Sequence, residues 1–212
     1  MKSFEALLQE SVERHGHLCA GQIIGVRMAM LGCRLVRIDD PKSHRHRKKL
    51  MVYVEIDRCA TDAIESVTGC RMGRRTLKFR DYGINAATFV NLDTRAAYRI
   101  VSTERSRDLA PTYAPEEKTV KGQQVEGYKR MPDDLLFEVQ EVEVTLPDWE
   151  MPGPPRRHAV CEACGQMVRD GREKRVENRI LCRPCAGDGY FRVADPKAQK
   201  HACKRVSEEE TA

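Results

Sequence analysis

Two Cys-x-x-Cys pairs, Cys161/Cys164 and Cys182/Cys185, stand 17 residues apart toward the C-terminal end of the chain. Each such turn aims two sulfurs at a common centre, and at this separation the pairs can approach one tetrahedral ion from opposite sides. The spacing predicts a structural zinc site in a ribbon or treble-clef-like module. A dithiol redox couple would use one pair and leave its matched partner unexplained. Asp170-Gly171, between the pairs, is a hairpin signal. Large apolar residues are few there, so zinc is expected to supply much of the module's stability. His158 and Cys203 are spare donors, read as bystanders because four thiolates fill a structural zinc shell. Arg169, Arg172, Lys174, Arg175 and Arg179 fall on the expected hairpin, as a solvated face or as a contact for phosphate or an acidic partner.

The module needs a boundary. Residues 147 to 157, PDWEMPGPPRR, hold four of the ten prolines and no hydrophobic period, which marks a linker. The expected division is a core over 1–148, a linker over 149–157, the zinc module over 158–190 and a disordered tail over 195–212. Of the net charge of +5, the segment 156–212 carries most, with 13 basic and 9 acidic residues. That surplus is below a nucleic-acid footprint, and no helix-turn-helix pattern is visible, so a zinc-finger regulator binding nucleic acid is the weaker alternative. No apolar run approaches the roughly 18 residues that cross a bilayer, and Glu5, Glu10 and Glu13 stand where a signal peptide would be apolar. A cytoplasmic protein without membrane contact is expected, and its nine cysteines read as thiols.

The first 148 residues predict an α+β fold of mixed helices and an antiparallel-rich sheet. Phe4, Leu7, Leu8 and Val12 recur at helical spacing up to His15-Gly16-His17, and a second helix is expected from Gly21 to Leu35. MVYVEID, from Met51, alternates as a half-buried strand, and CATDAIESVTG reads as a helix opening at Cys59 or Thr61 and closed by Gly69. TLKFRD and NAATFVNL are expected to pair around Asp81-Tyr82-Gly83, AAYRIVS to add a third strand, and LLFEVQEVEVTL to form a long one. A polar helix is expected over 115–131, entered at Pro115. The basic run KSHRHRKK, residues 42 to 49, is a loop whose charge is either solvated or an anion contact. Cys33 reads as a small core residue.

His15, His17 and Cys19 alternate, so in extended backbone their side chains share one face, and Gly16 and Gly21 allow tight bends around them. Two imidazoles and a thiol suit zinc or another borderline metal. They equally suit the polar closure of a helix end. Cys59, opening a helix after a strand, could meet His17 and Cys19 at the sheet edge. Three ligands would leave a position open for water or substrate, with Asp62 orienting a ligand or moving a proton, or else stabilised as a first-turn carboxylate.

HGHLCAGQIIGVRMA followed by CATDAIESVTGCRMGRRTLKFRDYGINAATFVN resembles the core of the FmdE family of formylmethanofuran dehydrogenase proteins. The resemblance is close over residues 10 to 95, and the tail over 158 to 190 is similar in arrangement. His15, His17 and Cys19 match the family's HGHxCPG segment. Cys59 and Asp62 match its C-x2-DAI helix, and Thr68, Gly69, Cys70 and Gly73 its TGCTxGK stretch. Asp81 and Gly83 match its Asp-x-Gly turn. Ala20 replaces the family proline, Arg74 a common lysine and Asn85 a frequent lysine; the last change removes a charge.

The resemblance implies a dimeric α+β core with a metal or reactive site, for which His15, His17, Cys19 and Cys59 are the ligand candidates and Cys19, Cys59 and Asp62 the catalytic ones. The implied metal is zinc, nickel or iron. It implies one-carbon metabolism related to methanogenesis and partnership with the subunits of a molybdenum or tungsten oxidoreductase. The chain lacks the length and the iron-sulfur cysteine run of the catalytic component of such an enzyme. The expected role is a metal-binding accessory protein, with a stand-alone metal-dependent enzyme as the alternative.

Overall fold

The computed structural model describes residues 1–194. These form two compact units that divide between Gly153 and Pro154. Cys203 and the stretch expected to be disordered lie outside the described residues.

The first unit opens with α1 (Phe4–His15) and α2 (Ala20–Leu35). The Ser3 side chain caps α1, and Gly16, in the left-handed region at φ 94°, ends it. After the basic loop come β1 (Leu50–Val54) and α3 (Cys59–Thr68), the helix closed by Gly69 at φ 68°. Then follow β2 (Leu77–Phe79), β3 (Ala86–Asn91) and β4 (Ala97–Ser102). The helices α4 (Glu104–Tyr113), α5 (Val120–Arg130) and α6 (Asp133–Leu136) lead into β5 (Phe137–Glu141). The sheet order is β2-β1-β3-β4-β5, with only β1–β2 parallel. The antiparallel-rich α+β core is as expected, with three departures.

β2 and β3 are not partners: each pairs with β1, on opposite sides. The amides of Arg80, Tyr82 and Ile84 donate to the carbonyls of Val54 and Glu55, so the turn wraps the end of β1 instead of folding β3 back onto β2. β1 is buried along its whole length rather than on one face. Leu50, Val52 and Val54 face the helices, while Met51 and Tyr53 are covered by Val142, Val144, Leu146 and Met151. The expected long strand therefore stops at Glu141 and its apolar alternation continues as a cover over the second face.

Pro115 lies in a turn, and α5 begins at Val120, where the Thr119 hydroxyl accepts from Gly122 N at 3.0 Å. The sequence reading missed α4, because Pro111 inside it reads as a break and few of its residues are buried. Part of the expected linker is also packed: Glu150 accepts from Arg80 at 2.9 Å and from the Tyr53 hydroxyl at 3.2 Å.

α2 crosses α3 at unusually short range. A Cβ on Gly25 would stand 2.7 Å from Ala63 Cβ and 2.8 Å from Ala60 Cα, and one on Gly21 would stand 2.9 Å from Cys59 Cβ. Further along, Gly32 leaves room for the Phe89 ring, 2.6 Å from where its Cβ would be. The glycines thus set the spacing of α2 against both α3 and the sheet.

The second unit consists of two short hairpins, β6 (His158–Val160) with β7 (Met167–Arg169) and β8 (Lys174–Val176) with β9 (Arg179–Leu181). Asp170-Gly171 joins the hairpins rather than turning one. The β8–β9 turn is instead made by Glu177 and Asn178, both left-handed at φ 47° and 68°, as a tight type I′ turn requires.

Replacing Gly25 by Ala should lower the melting temperature by roughly 3–10 °C, the cost of about 1–3 kcal/mol for an overpacked contact. Gly73→Ala, where an added Cβ meets nothing within 4 Å, should change it little. Thermal unfolding by circular dichroism reads both; equal melting points would disprove the packing argument.

Candidate metal centres

In the second unit, each cysteine pair sits on a turn made by its own backbone. Gly165 N donates to Cys161 O at 2.8 Å, and Ala186 N to Cys182 O at 3.0 Å. Gly165 and Gly187 take left-handed conformations at φ 73° and 85° just beyond the pairs. The four sulfurs of Cys161, Cys164, Cys182 and Cys185 lie within 4.8 Å of one another. Cys164 and Cys182 are 3.8 Å apart. Disulfide sulfurs would stand about 2.05 Å apart. Sulfurs at about 2.3 Å from one tetrahedral ion stand about 3.8 Å apart.

Backbone amides of Cys182, Cys164 and Ala163 hold the Cys161 thiol down to about 6. The neighbouring sulfurs of Cys182 and Cys164 push Cys185 up to about 12. The Gln166 amide lowers Cys164, but burial and the Cys161 sulfur leave it above its ordinary value. Four thiolates so close repel unless a cation joins them, so the donor set fits zinc. The apolar support is small, with Leu181 buried and Val168 and Ala186 packed beside it. His158 is exposed on β6 and outside the group.

The second cluster lies where the end of α1 meets the starts of α2 and α3. One ring nitrogen of His15, one of His17 and the Cys19 sulfur lie within 4.8 Å of one another. His15 is the last residue of α1, and Gly16 turns the chain so that the His17 ring returns to 4.6 Å from it. Cys19 is the N-cap of α2, and Cys59 is the first residue of α3. The positive ends of both helices favour thiolate there.

His15 Nδ1 meets Asp62 Oδ2 at 2.9 Å. Since an ionised carboxylate only accepts, the proton belongs on Nδ1, and Nε2 keeps its lone pair. That Nε2 is buried and has no hydrogen-bond partner among the described residues. A buried acceptor without a partner is costly, and a carboxylate on the far nitrogen is the usual support of a metal-bound imidazole. These residues fit a metal.

Cys59 is placed against Cys19. Burial raises its thiol, and the hydrogen bond with Cys19 raises it further. Its sulfur is not among the three mutually close donors, so the structure supplies a three-residue set with Cys59 at its edge. Cys70 is buried at the end of α3, where burial pushes its thiol up to about 11, and its amide donates to Thr68 Oγ1 at 3.1 Å. Thr68, Gly69, Cys70, Gly73, Asp81 and Gly83 contribute no atom to either cluster. Cys33 is buried in the core.

One residue at this centre escaped the sequence reading. Gln22, fully buried near the start of α2, donates to Cys59 O at 2.7 Å and accepts from the Ser11 hydroxyl. An amide on the apolar face of a helix was the available signal, since buried polar groups need partners.

Comparison with known proteins adds to this geometry. The model of the family described as FmdE, Molybdenum formylmethanofuran dehydrogenase operon, matches residues 14–144. A prokaryotic dksA/traR C4-type zinc finger model matches residues 154–190. A curated relative, a probable S-adenosyl-L-methionine-binding protein from Archaeoglobus fulgidus, is 27% identical over 199 residues, covering 87% of this chain and 53% of that protein. The chain therefore spans about half the length of that relative. The crystal structure of an FmdE-like protein of tungsten formylmethanofuran dehydrogenase from Syntrophus aciditrophicus superposes with a TM-score of 0.58 at 17% identity, covering 90% of this chain and 96% of that one.

Freshly purified, reduced protein should hold about one tightly bound zinc in the cysteine module, and Cys182→Ser should unfold that module while leaving the first unit's melting transition in place. Metal analysis and proteolysis of the variant check this. Absence of zinc from the reduced wild-type protein would contradict it.

Proposed function

Since the chain belongs to the FmdE family, whose model spans most of its first unit, we propose that it is a metal-binding accessory protein that acts as a homodimer beside the subunits of a molybdenum or tungsten one-carbon oxidoreductase. The observation that carries the metal-binding part is the His15 ring, fixed by Asp62 on one nitrogen and left unpartnered on the other, beside His17 and Cys19. Support for the oxidoreductase setting comes from the family's description and from the FmdE-like relative of the same fold. The zinc finger supplies a separate, structural metal.

In this reading His15, His17 and Cys19 hold a zinc, nickel or iron ion, and Asp62 keeps the His15 tautomer and ring orientation. When bound, such an ion supplies a Lewis acid with an exchangeable position. Cys59 borders that position. It either completes the shell or stays as a thiol beside it. Gln22 fixes the Cys59 carbonyl and so holds the start of α3 in register with α2.

The alternative is a stand-alone metal-dependent enzyme, favoured by one observation: three donors leave the shell incomplete, with Cys59 and Asp62 at hand to take or give a proton. Turnover of a substrate by purified protein without partner subunits would favour this reading. Co-purification with a component of a pterin oxidoreductase, without such turnover, would favour the first.

Cobalt titration should show two metal equivalents per chain, with a thiolate-to-cobalt absorption band from each class of site. His17→Ala/Cys19→Ser should lose one equivalent and keep the finger's band. Asp62→Asn should weaken the core site by about 10–100-fold. A single equivalent in wild-type protein, unchanged in the double variant, would remove the core site.

A further inference from the structure

The basic loop between α2 and β1 has no part in either metal cluster, yet it contributes Lys42 to a cleft of about 410 Å³. The cleft is lined by Glu10 and Arg14 of α1, Glu65, Ser66 and Gly69 at the end of α3, and Arg71 and Arg74 of the turn that follows. Four cations from three separate segments face two carboxylates, a surplus of two positive charges in one concavity.

Both carboxylates are already shared. Glu65 pairs with Arg14 at 2.7 Å and with Arg71 at 3.5 Å. Glu10 pairs with Lys42 at 3.2 Å and also with Lys2. Each acid thus braces two cations without neutralising both. Arg74 is exposed and makes no ion pair among the described residues. Gly69 takes part as well: a Cβ there would stand 3.3 Å from Lys42 Cγ, so its lack of a side chain lets the lysine stem lie against the end of α3. Basic residues scattered over a flat face are merely solvated. Here guanidinium groups converge, preset by their carboxylate braces, and guanidinium groups match phosphate oxygens in pairs.

We infer that this cleft is a binding site for a phosphorylated small molecule, whose phosphate oxygens are held by Arg14, Lys42, Arg71 and Arg74. It is distinct from the metal clusters and does not depend on the function proposed above. A cleft of this volume takes a diphosphate or triphosphate group more readily than it takes a nucleic-acid backbone, which favours a convex or open basic surface.

Isothermal titration of the full-length zinc-loaded chain tests this, with orthophosphate, tripolyphosphate and sulfate as probes at equal ionic strength. Tripolyphosphate should bind one per chain, at least about tenfold tighter than orthophosphate or sulfate, and weaken as salt is raised. Arg74→Ala and Lys42→Ala, both surface changes, should each weaken it by about tenfold or more without shifting the melting temperature. Lys118→Ala, outside the cleft, should not. Binding weaker than about 1 mM, or equal affinity in Arg74→Ala, would overturn the proposal. A short oligonucleotide that binds tightly and is not displaced by tripolyphosphate would overturn it in favour of a nucleic-acid surface.

Discussion

The close crossing of α2 over α3 is the contact on which the first unit depends. Gly21 and Gly25 stand one helical turn apart, and side chains at either position would collide with Cys59, Ala60 or Ala63. Backbones this close bring two helix N-termini to one place, which puts the Cys19 and Cys59 thiols side by side where the helix dipoles favour their ionised forms. The same approach seals Ile23, Val26 and Ile64 from water, so the apolar burial that stabilises the core also assembles the cluster.

Helix packing fixes distance but tolerates sliding, and a polar network removes that freedom. Ser11 of α1 donates to Gln22 of α2, which donates in turn to the carbonyl of Cys59. The three groups are satisfied only when the three helices share one register, because an amide left without partners in the core costs about 1–3 kcal/mol. On the surface, Arg14 to Glu65 and His15 to Asp62 tie α1 to α3 at both edges of the same face. Asp62 is therefore both a brace and the group that sets the imidazole's tautomer.

What could be read in the sequence follows from how local each signal is. The cysteine pairs, the helix-ending glycines Gly16 and Gly69, and the alternation of His15, His17 and Cys19 are short-range patterns, and the structure keeps the elements they mark. Strand partners are not local. Nothing in TLKFRD shows that it pairs parallel to β1, because that choice is made by the carbonyls of Val54 and Glu55 capturing the next turn. The long alternation after Leu135 was real, but half of it serves as a cover on the second face of the sheet, an environment that periodicity cannot separate from a ladder. Pro111 concealed α4 for the opposite reason: tertiary packing against α5 tolerates a residue that local rules treat as a break. Gln22 was visible as a misfit and needed its partners before it could be understood.

The two metal centres differ in what holds their ligands in place. In the finger, few apolar groups surround the cysteines, so ion binding and folding are one event, and removing the ion removes the module. In the core, His15, Cys19 and Cys59 are fixed by helix ends that pack without help from an ion, and His15 already carries its carboxylate. A site built in advance gives up none of its fold when the ion leaves. Exchange there is limited by the strength of three bonds and by access past the exposed His17, not by unfolding. The finger is thereby suited to permanent occupancy and the core cluster to taking up and releasing an ion or the group bound to it.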